Sequence, residues 1–279
     1  MSKITETFQI LKQNGRKALM PYVTMGYPAL ESALDIIPAL AEAGADLVEL
    51  GVPFSDPLAD GATIQAAGQR ALANGMSLAV CLEQAATLRT RGVTVPFMLM
   101  GYYNPIMQFG FERFAEQATA SGIDGLIVPD LPPEEAETLY AAATARGLDV
   151  IFLLAPTSDA ARIQTVTALS GGFVYLVSLV GVTGARESLP PDLADFVARV
   201  RAVTDKALAV GFGIATPEQA AQVAQIADGV IVGSALVKAV GAAEHPAEAA
   251  RVFTAALRAA ICGPQFAGRN LTSSAFQLI

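Results

Sequence analysis

Histidine, cysteine and basic charge are all scarce in this chain, and each scarcity removes a class of chemistry. One histidine, His245, stands among 279 residues, so sites built from several imidazoles, including most zinc centres, are excluded. His245 lies between Glu244 and Pro246, a pattern that reads as a helix start near the surface rather than as a ligand. The two cysteines, Cys81 and Cys262, are far apart and in no metal or redox spacing, which points to ordinary buried thiols in a reducing compartment. Lys and Arg number 18 against 26 Asp and Glu, for a net charge of -8. The basic residues are scattered, so the electrostatic footprint of a nucleic-acid binder is missing. Long unbroken apolar runs are missing too. Segment 92–111 carries no charge, but Pro96, Gly101, Asn104, Pro105 and Gly110 interrupt it, so it reads as a buried strand with its loop rather than a membrane span. The first twelve residues are polar and amphipathic with no continuous apolar core, unlike a secretory signal, and the expected location is the cytosol.

What the chain has in plenty is material for a core: 53% of its residues are hydrophobic and its mean hydropathy is +0.45. Its length suits one large α/β barrel or two ordinary domains. Eight short apolar runs, at 19–25, 46–51, 96–100, 125–128, 149–153, 173–177, 207–211 and 229–232, alternate with Ala-rich amphipathic stretches such as 134–146 and 217–226. That alternation is the pattern of repeated βα units on a parallel sheet. Gly44-Ala45-Asp46, Gly122-Ile123-Asp124 and Ala227-Asp228-Gly229 each close a helix and open a strand, and glycine there can take the left-handed conformation that ends a helix. No linker or composition shift divides the chain. The expectation is an α/β protein with one domain over residues 1–279, a (β/α)8 TIM barrel with an extra N-terminal helix. A doubly wound open sheet is the alternative, but no Gly-x-Gly-x-x-Gly follows the first strand.

In a barrel of this kind the carboxyl ends of the strands carry the chemistry. On Leu47-Val48-Glu49-Leu50-Gly51 alternate side chains share a face, so Glu49 goes with Leu47, away from the face that Val48 and Leu50 offer to the helices. Glu49 then points into the barrel mouth, where apolar walls raise its pKa and let it give and take a proton near neutrality. The bland alternative is a Glu paired with a buried cation, and no Lys or Arg sits at another strand's carboxyl end to serve. Asp56 and Asp60 follow among Pro53, Pro57 and Gly61. Turn formation or helix capping explains Asp56 best, and from spacing alone the same explanation stands level with a functional one for Asp60.

After the seventh run comes Gly211-Phe212-Gly213-Ile214, and after the eighth Gly233-Ser234-Ala235 ahead of a helical stretch. Glycines admit a ligand to the backbone, a helix N-terminus attracts anions, and barrels commonly hold phosphate at these two loops. Residues 181–190, with Gly181 and Gly184 around Thr183, read as a glycine-hinged lid; a mobile surface loop is the simpler alternative.

These motifs occur together in a known family. Val-Glu-Leu-Gly-Val-Pro-Phe-Ser-Asp-Pro-Leu-Ala-Asp-Gly at 48–61, Val-Pro-Asp-Leu-Pro-Pro-Glu-Glu at 128–135, Gly-Val-Thr-Gly-Ala-Arg at 181–186 and Gly-Phe-Gly-Ile at 211–214 make a chain that resembles the tryptophan synthase alpha subunit family from about residue 4 to 262. The resemblance implies a barrel lyase that cleaves indole-3-glycerol phosphate to indole and glyceraldehyde 3-phosphate with no cofactor of its own. It implies that Glu49 is the acid and base, that Asp60 contacts the indole nitrogen, and that Tyr175 helps to position Glu49 or the substrate. Tyr22, Met100, Ile127, Thr183, Phe212 and Ile231 would bind the substrate, although the apolar ones could equally be barrel core. Gly184, Gly213, Gly233 and Ser234 would hold the phosphate. It further implies a tryptophan synthase beta subunit as partner, in an α2β2 heterotetramer, with pyridoxal phosphate in the beta subunit. The sequence departs from the family's pattern at Ala62, where proline is expected, and in the tail after Cys262.

Two other readings compete. Another phosphate-binding barrel, such as a sugar-phosphate isomerase or a Schiff-base aldolase, is one; the aldolase needs a strand-end lysine, and Lys17, Lys206 and Lys238 are poorly placed for it. A regulatory subunit that keeps the pocket without the chemistry is the other, and the presence of both Glu49 and Asp60 argues against it.

Overall fold

The computed structural model describes residues 1–178, 189–211 and 213–262. Its strands are β1 (Ala18–Thr24), β2 (Val48–Gly51), β3 (Phe97–Met100), β4 (Gly125–Ile127), β5 (Asp149–Ile151), β6 (Leu153–Leu154), β7 (Phe173–Val177), β8 (Ala207–Gly211) and β9 (Gly229–Val232). They pair in parallel in the order β5-β4-β3-β2-β1-β9-β8-β7-β6, with helices between them.

Eight strands were expected; the fifth, at 149–153, is broken at Phe152. There the amide of Phe152 donates to the Ser170 hydroxyl (3.2 Å) while its carbonyl accepts from the Tyr175 amide (3.2 Å). β5 therefore pairs with β4 and β6 with β7, and the ring of strands meets across this one interrupted segment. Two other expected bounds move for local reasons. The second strand begins at Val48 rather than residue 46 because the Asp46 carboxylate is engaged by Arg258 and by the Leu19 amide. The helix expected over 134–146 opens as a 3-10 turn at Pro133–Glu135 before the α-helix Glu137–Ala145.

Strand parity sorts the apolar residues into two layers. Met20, Tyr22, Met98, Met100, Ile127, Ile151, Phe173, Tyr175, Ala209 and Ile231 pack with one another inside the ring. Leu19, Val23, Val48, Leu50, Leu99, Leu126, Val174, Val210 and Val232 pack outward against the helices.

The amino-terminal mouth is plugged by the expected extra helix, Lys3–Gln13, which Ser2 caps by accepting from the Thr5 amide (3.2 Å). Its Ile4, Phe8 and Leu11, at helical spacing, join the inner layer, and the Phe8 ring lies 5.5 Å from that of Phe173. A side chain on Gly125 would place Cβ 2.7 Å from Ile4 Cδ1, so glycine is what lets the plug seat.

The same end repeats one device three times. Asp46, Asp124 and Asp228, each just before or at a strand start, accept from the amides of Leu19 (2.9 Å), Phe97 (2.8 Å) and Leu208 (3.0 Å) on the neighbouring strands. Each also pairs with an arginine from a helix: Arg258, Arg89 and Arg201 respectively. Arg89 in addition donates to the carbonyls of Gly122, Val93 and Val95 and lies 3.6 Å from the centre of the Phe97 ring. Charge at the bottom of the ring is therefore used for registration, which leaves the top for chemistry.

Candidate active site

Glu49 lies on β2 between its register partners Tyr22 on β1 and Met98 on β3, with the inward parity expected of it. It is 1% exposed, and its Oε1 has no hydrogen-bond partner. Among the described residues no Lys or Arg forms an ion pair with it. Burial pushes its pKa up to about 8, because a charged carboxylate there would lose its hydration. At neutral pH Glu49 is mainly the neutral acid, able to donate a proton.

Asp60 sits in the loop between β2 and the helix Ala62–Ala73. Its amide donates to the Pro57 carbonyl (3.1 Å), and its own carbonyl accepts from Gln65 Nε2 (2.9 Å). The helix takes Gly61 as its N-cap and has no side-chain cap, so the Asp60 carboxylate is not spent on capping. Burial raises its pKa to about 6, against the opposing pull of the nearby Tyr102 hydroxyl. The two carboxylates thus differ in their ordinary state at neutral pH: one is an acid, the other an anion. Asp56 is exposed and accepts from the Ser55 hydroxyl, in keeping with the turn role read for it.

The tyrosines expected at the site are both buried in the inner layer. The Tyr22 hydroxyl lies over Gly51 and the Tyr175 hydroxyl over Gly211, each occupying the space that a Cβ would need. Burial, followed by the charges of Asp60 for Tyr22 and of Glu49 for Tyr175, raises both phenols' pKa values, so they remain protonated donors. Met100, Ile127 and Ile231 complete an apolar wall in the same layer.

Four further residues belong here that the sequence reading did not single out. Ile64, on the helix after the Asp60 loop, packs into the inner layer, and Leu153 and Val177 border it half-buried; strand parity was the signal for the last two. Tyr102, two residues beyond β3, touches the Asp60 loop directly.

Further round the mouth, Gly213 follows β8 with φ +83°, and Gly233 follows β9 immediately before the helix Ser234–Ala242. The first amides of that helix have no intrahelical acceptor and face the carboxyl end of the ring, where an anion would be welcome. Thr183, Gly184 and Phe212, and all of the expected lid except Leu189 and Pro190, lie outside the described residues. Among the described residues no group of three His, Cys, Asp or Glu could hold a metal ion.

Comparison with known proteins gives one answer. Residues 8–261 match the tryptophan synthase alpha chain family. The chain is 55% identical over 237 residues to the tryptophan synthase alpha chain of Chloroflexus aggregans, covering 85% of this chain and 89% of that one. With that of Geobacter sulfurreducens it shares 54% over 264 residues, 94% and 99% of the two chains. Among solved structures, tryptophan synthase subunit alpha from Legionella pneumophila superposes with a TM-score of 0.87 at 39% identity, over 94% of this chain and 99% of that chain. An aminoacrylate-bound tryptophan synthase from M. tuberculosis gives 0.85 at 37%, over 94% and 100%. With a family match spanning most of its length and a barrel mouth built around Glu49 and Asp60, the chain belongs to the tryptophan synthase alpha chain family.

Proposed function

We infer that this chain is a carbon-carbon lyase that cleaves indole-3-glycerol phosphate to indole and glyceraldehyde 3-phosphate, with Glu49 and Asp60 carrying the reaction. The observation that bears most weight is the split between a buried and a half-buried carboxylate, pKa about 8 and about 6, in one apolar mouth; environments that drive two carboxyl groups apart assign acid and anion between them.

Breaking the bond from indole carbon 3 to the glycerol chain would expel an unstable carbanion from an unactivated ring. Neutral Glu49 first gives its proton to carbon 3, and the ring becomes a cation whose charge rests largely on nitrogen. Asp60, ionised, sits where it can stabilise that cation through the ring N–H. Glu49, now a carboxylate, takes the proton of the adjacent hydroxyl. The carbon-carbon bond breaks as the carbonyl of glyceraldehyde 3-phosphate forms; its bonding pair becomes the C2–C3 double bond of the ring while the iminium pair returns to nitrogen, giving indole. Glu49 ends protonated, as it began. Tyr175 and Tyr22 supply fixed hydroxyls beside the carboxylates, Met100, Ile127 and Ile231 hold the indole faces, and Gly213, Gly233 and Ser234 offer backbone amides to the phosphate. Thr183, Gly184 and Phe212 are assigned to the same pocket on the family resemblance.

The reaction as written consumes no cofactor, and we read the chain as needing none of its own. Pyridoxal phosphate is assigned to a beta subunit that takes the indole, in an α2β2 assembly. Leu58, 84% exposed beside Asp56 at the tip of the loop after β2, is the kind of unpartnered apolar side chain such docking would cover. We read residues 1–279 as one domain. No helix among the described residues is long and apolar enough to cross a membrane; we read the chain as cytosolic. The test is indole release from indole-3-glycerol phosphate by the purified chain, alone and with a beta subunit: slow alone and much faster in the complex is expected, and no release under either condition overturns the assignment.

A further inference from the structure

We propose that Tyr102 is the positioning residue for Asp60: its hydroxyl joins the loop after β3 to the loop after β2 and aims the Asp60 carboxylate at the ring nitrogen. The proposal rests on the role given to Asp60 above. The hydroxyl accepts from the Ala59 amide at 3.0 Å, which leaves its single proton for the neighbouring Asp60 carboxylate, whose pKa it pulls down. Direction in this chain is unambiguous. An amide can only donate and an ionised carboxylate can only accept, which leaves the phenol one arrangement.

The phenol is itself fixed. Tyr102 is 4% exposed, and its ring packs 5.2 Å from that of Phe54, another residue of the Asp60 loop. Its backbone follows directly from β3, the strand in register with β2 over Phe97–Met100. By contrast, the described hydrogen bonds of Asp60 to its own loop run through its backbone, to Pro57 and from Gln65, and do not themselves orient the carboxylate. A carboxylate that must meet a developing cation gains from being held before the charge appears. Bonding to the charged form also favours the anion at neutral pH, the state the reaction needs.

Tyr102→Phe removes the hydroxyl and keeps the ring against Phe54. Full pH profiles of kcat/KM for the wild type, Tyr102→Phe and Asp60→Asn, each as the full chain with beta subunit, test the idea. Tyr102→Phe is expected to lose about tenfold or more in kcat/KM, the usual order for a lost hydrogen bond to a charged group, chiefly in kcat. Its acid limb is expected to move to higher pH while Tm stays within a degree or two. A Tyr102→Phe enzyme with wild-type rate and an unmoved acid limb overturns the proposal, and so does a loss of rate accompanied by a falling Tm and an unmoved limb. Asp60→Asn separates the two layers of the argument: if it keeps normal activity, the reading of Asp60 fails, whereas a dead Asp60→Asn beside a normal Tyr102→Phe refutes the positioning role alone.

Discussion

Replacing Glu49 with Gln should stabilise the protein while destroying its activity, and the stabilisation should grow with pH. In the unfolded chain a glutamate titrates near 4.5; in the fold burial moves that titration to about 8. A raised pKa means that the fold prefers the protonated form. The contribution of Glu49 to stability is therefore fully present below about pH 4.5 and is lost progressively as pH rises through 8. A shift of this size corresponds to roughly 5 kcal/mol between the two ends of that window and to about 3 kcal/mol already lost at pH 7, taking ~1.36 kcal/mol per unit. Gln has nearly the same shape and no titration, so its variant escapes the loss. Thermal melts of both proteins followed by far-UV circular dichroism between pH 5 and 8.5 read the difference. The melting-temperature gap in favour of Glu49→Gln should be small at pH 5 and reach roughly 6 °C at pH 7, at ~2 °C per kcal/mol for a chain of this size. Packing differences between acid and amide add a constant offset; the slope with pH carries the test. A gap that does not change with pH, or that shrinks as pH rises, refutes the claim that Glu49 is held neutral by burial.

Other consequences follow from the same geometry. The pH profile of kcat/KM should be bell-shaped, rising as Asp60 loses its proton near pH 6 and falling as Glu49 loses its own near pH 8; a flat profile from pH 5 to 9 contradicts the assignment of acid and anion. Gly211→Ala places a methyl where the Tyr175 hydroxyl lies, and displacing that hydroxyl from beside Glu49 should lower kcat by about tenfold or more while the circular dichroism spectrum is retained. Arg89→Ala leaves Asp124 without its closest cation at the far end of the ring and should cost roughly 2–4 kcal/mol in urea denaturation with kcat unchanged.

Much of this was legible along the chain because it depends on local periodicity. The inward direction of Glu49 follows from the alternation of Leu47, Val48, Glu49 and Leu50, and the structure places those residues in the layers that alternation implies. Gly44 and Gly122, read as helix ends, have φ +100° and +77°. What was hidden depends on contacts between distant positions. Asp60 followed by glycine imitates a helix cap, and only the start of the helix at Ala62 shows that Gly61 fills that role. Tyr102 lies 43 positions from Ala59, so no spacing rule links it to the Asp60 loop. The break at Phe152 comes from the Ser170 hydroxyl, 18 positions on. Similarly, the aspartates at strand entrances were visible as turn signals, whereas their arginines, Arg258, Arg89 and Arg201, are brought to them only by the closure of the barrel.

The most direct measurement is the titration of the Glu49 carboxyl itself, by carbon-13 NMR of protein labelled at glutamate side-chain carboxyls, with the Glu49→Gln variant identifying the resonance. A midpoint near pH 8 is the expected result. A midpoint close to 4.5, the value of an ordinary solvated glutamate, would mean that the group is already ionised at neutral pH and cannot be the acid that protonates the indole ring.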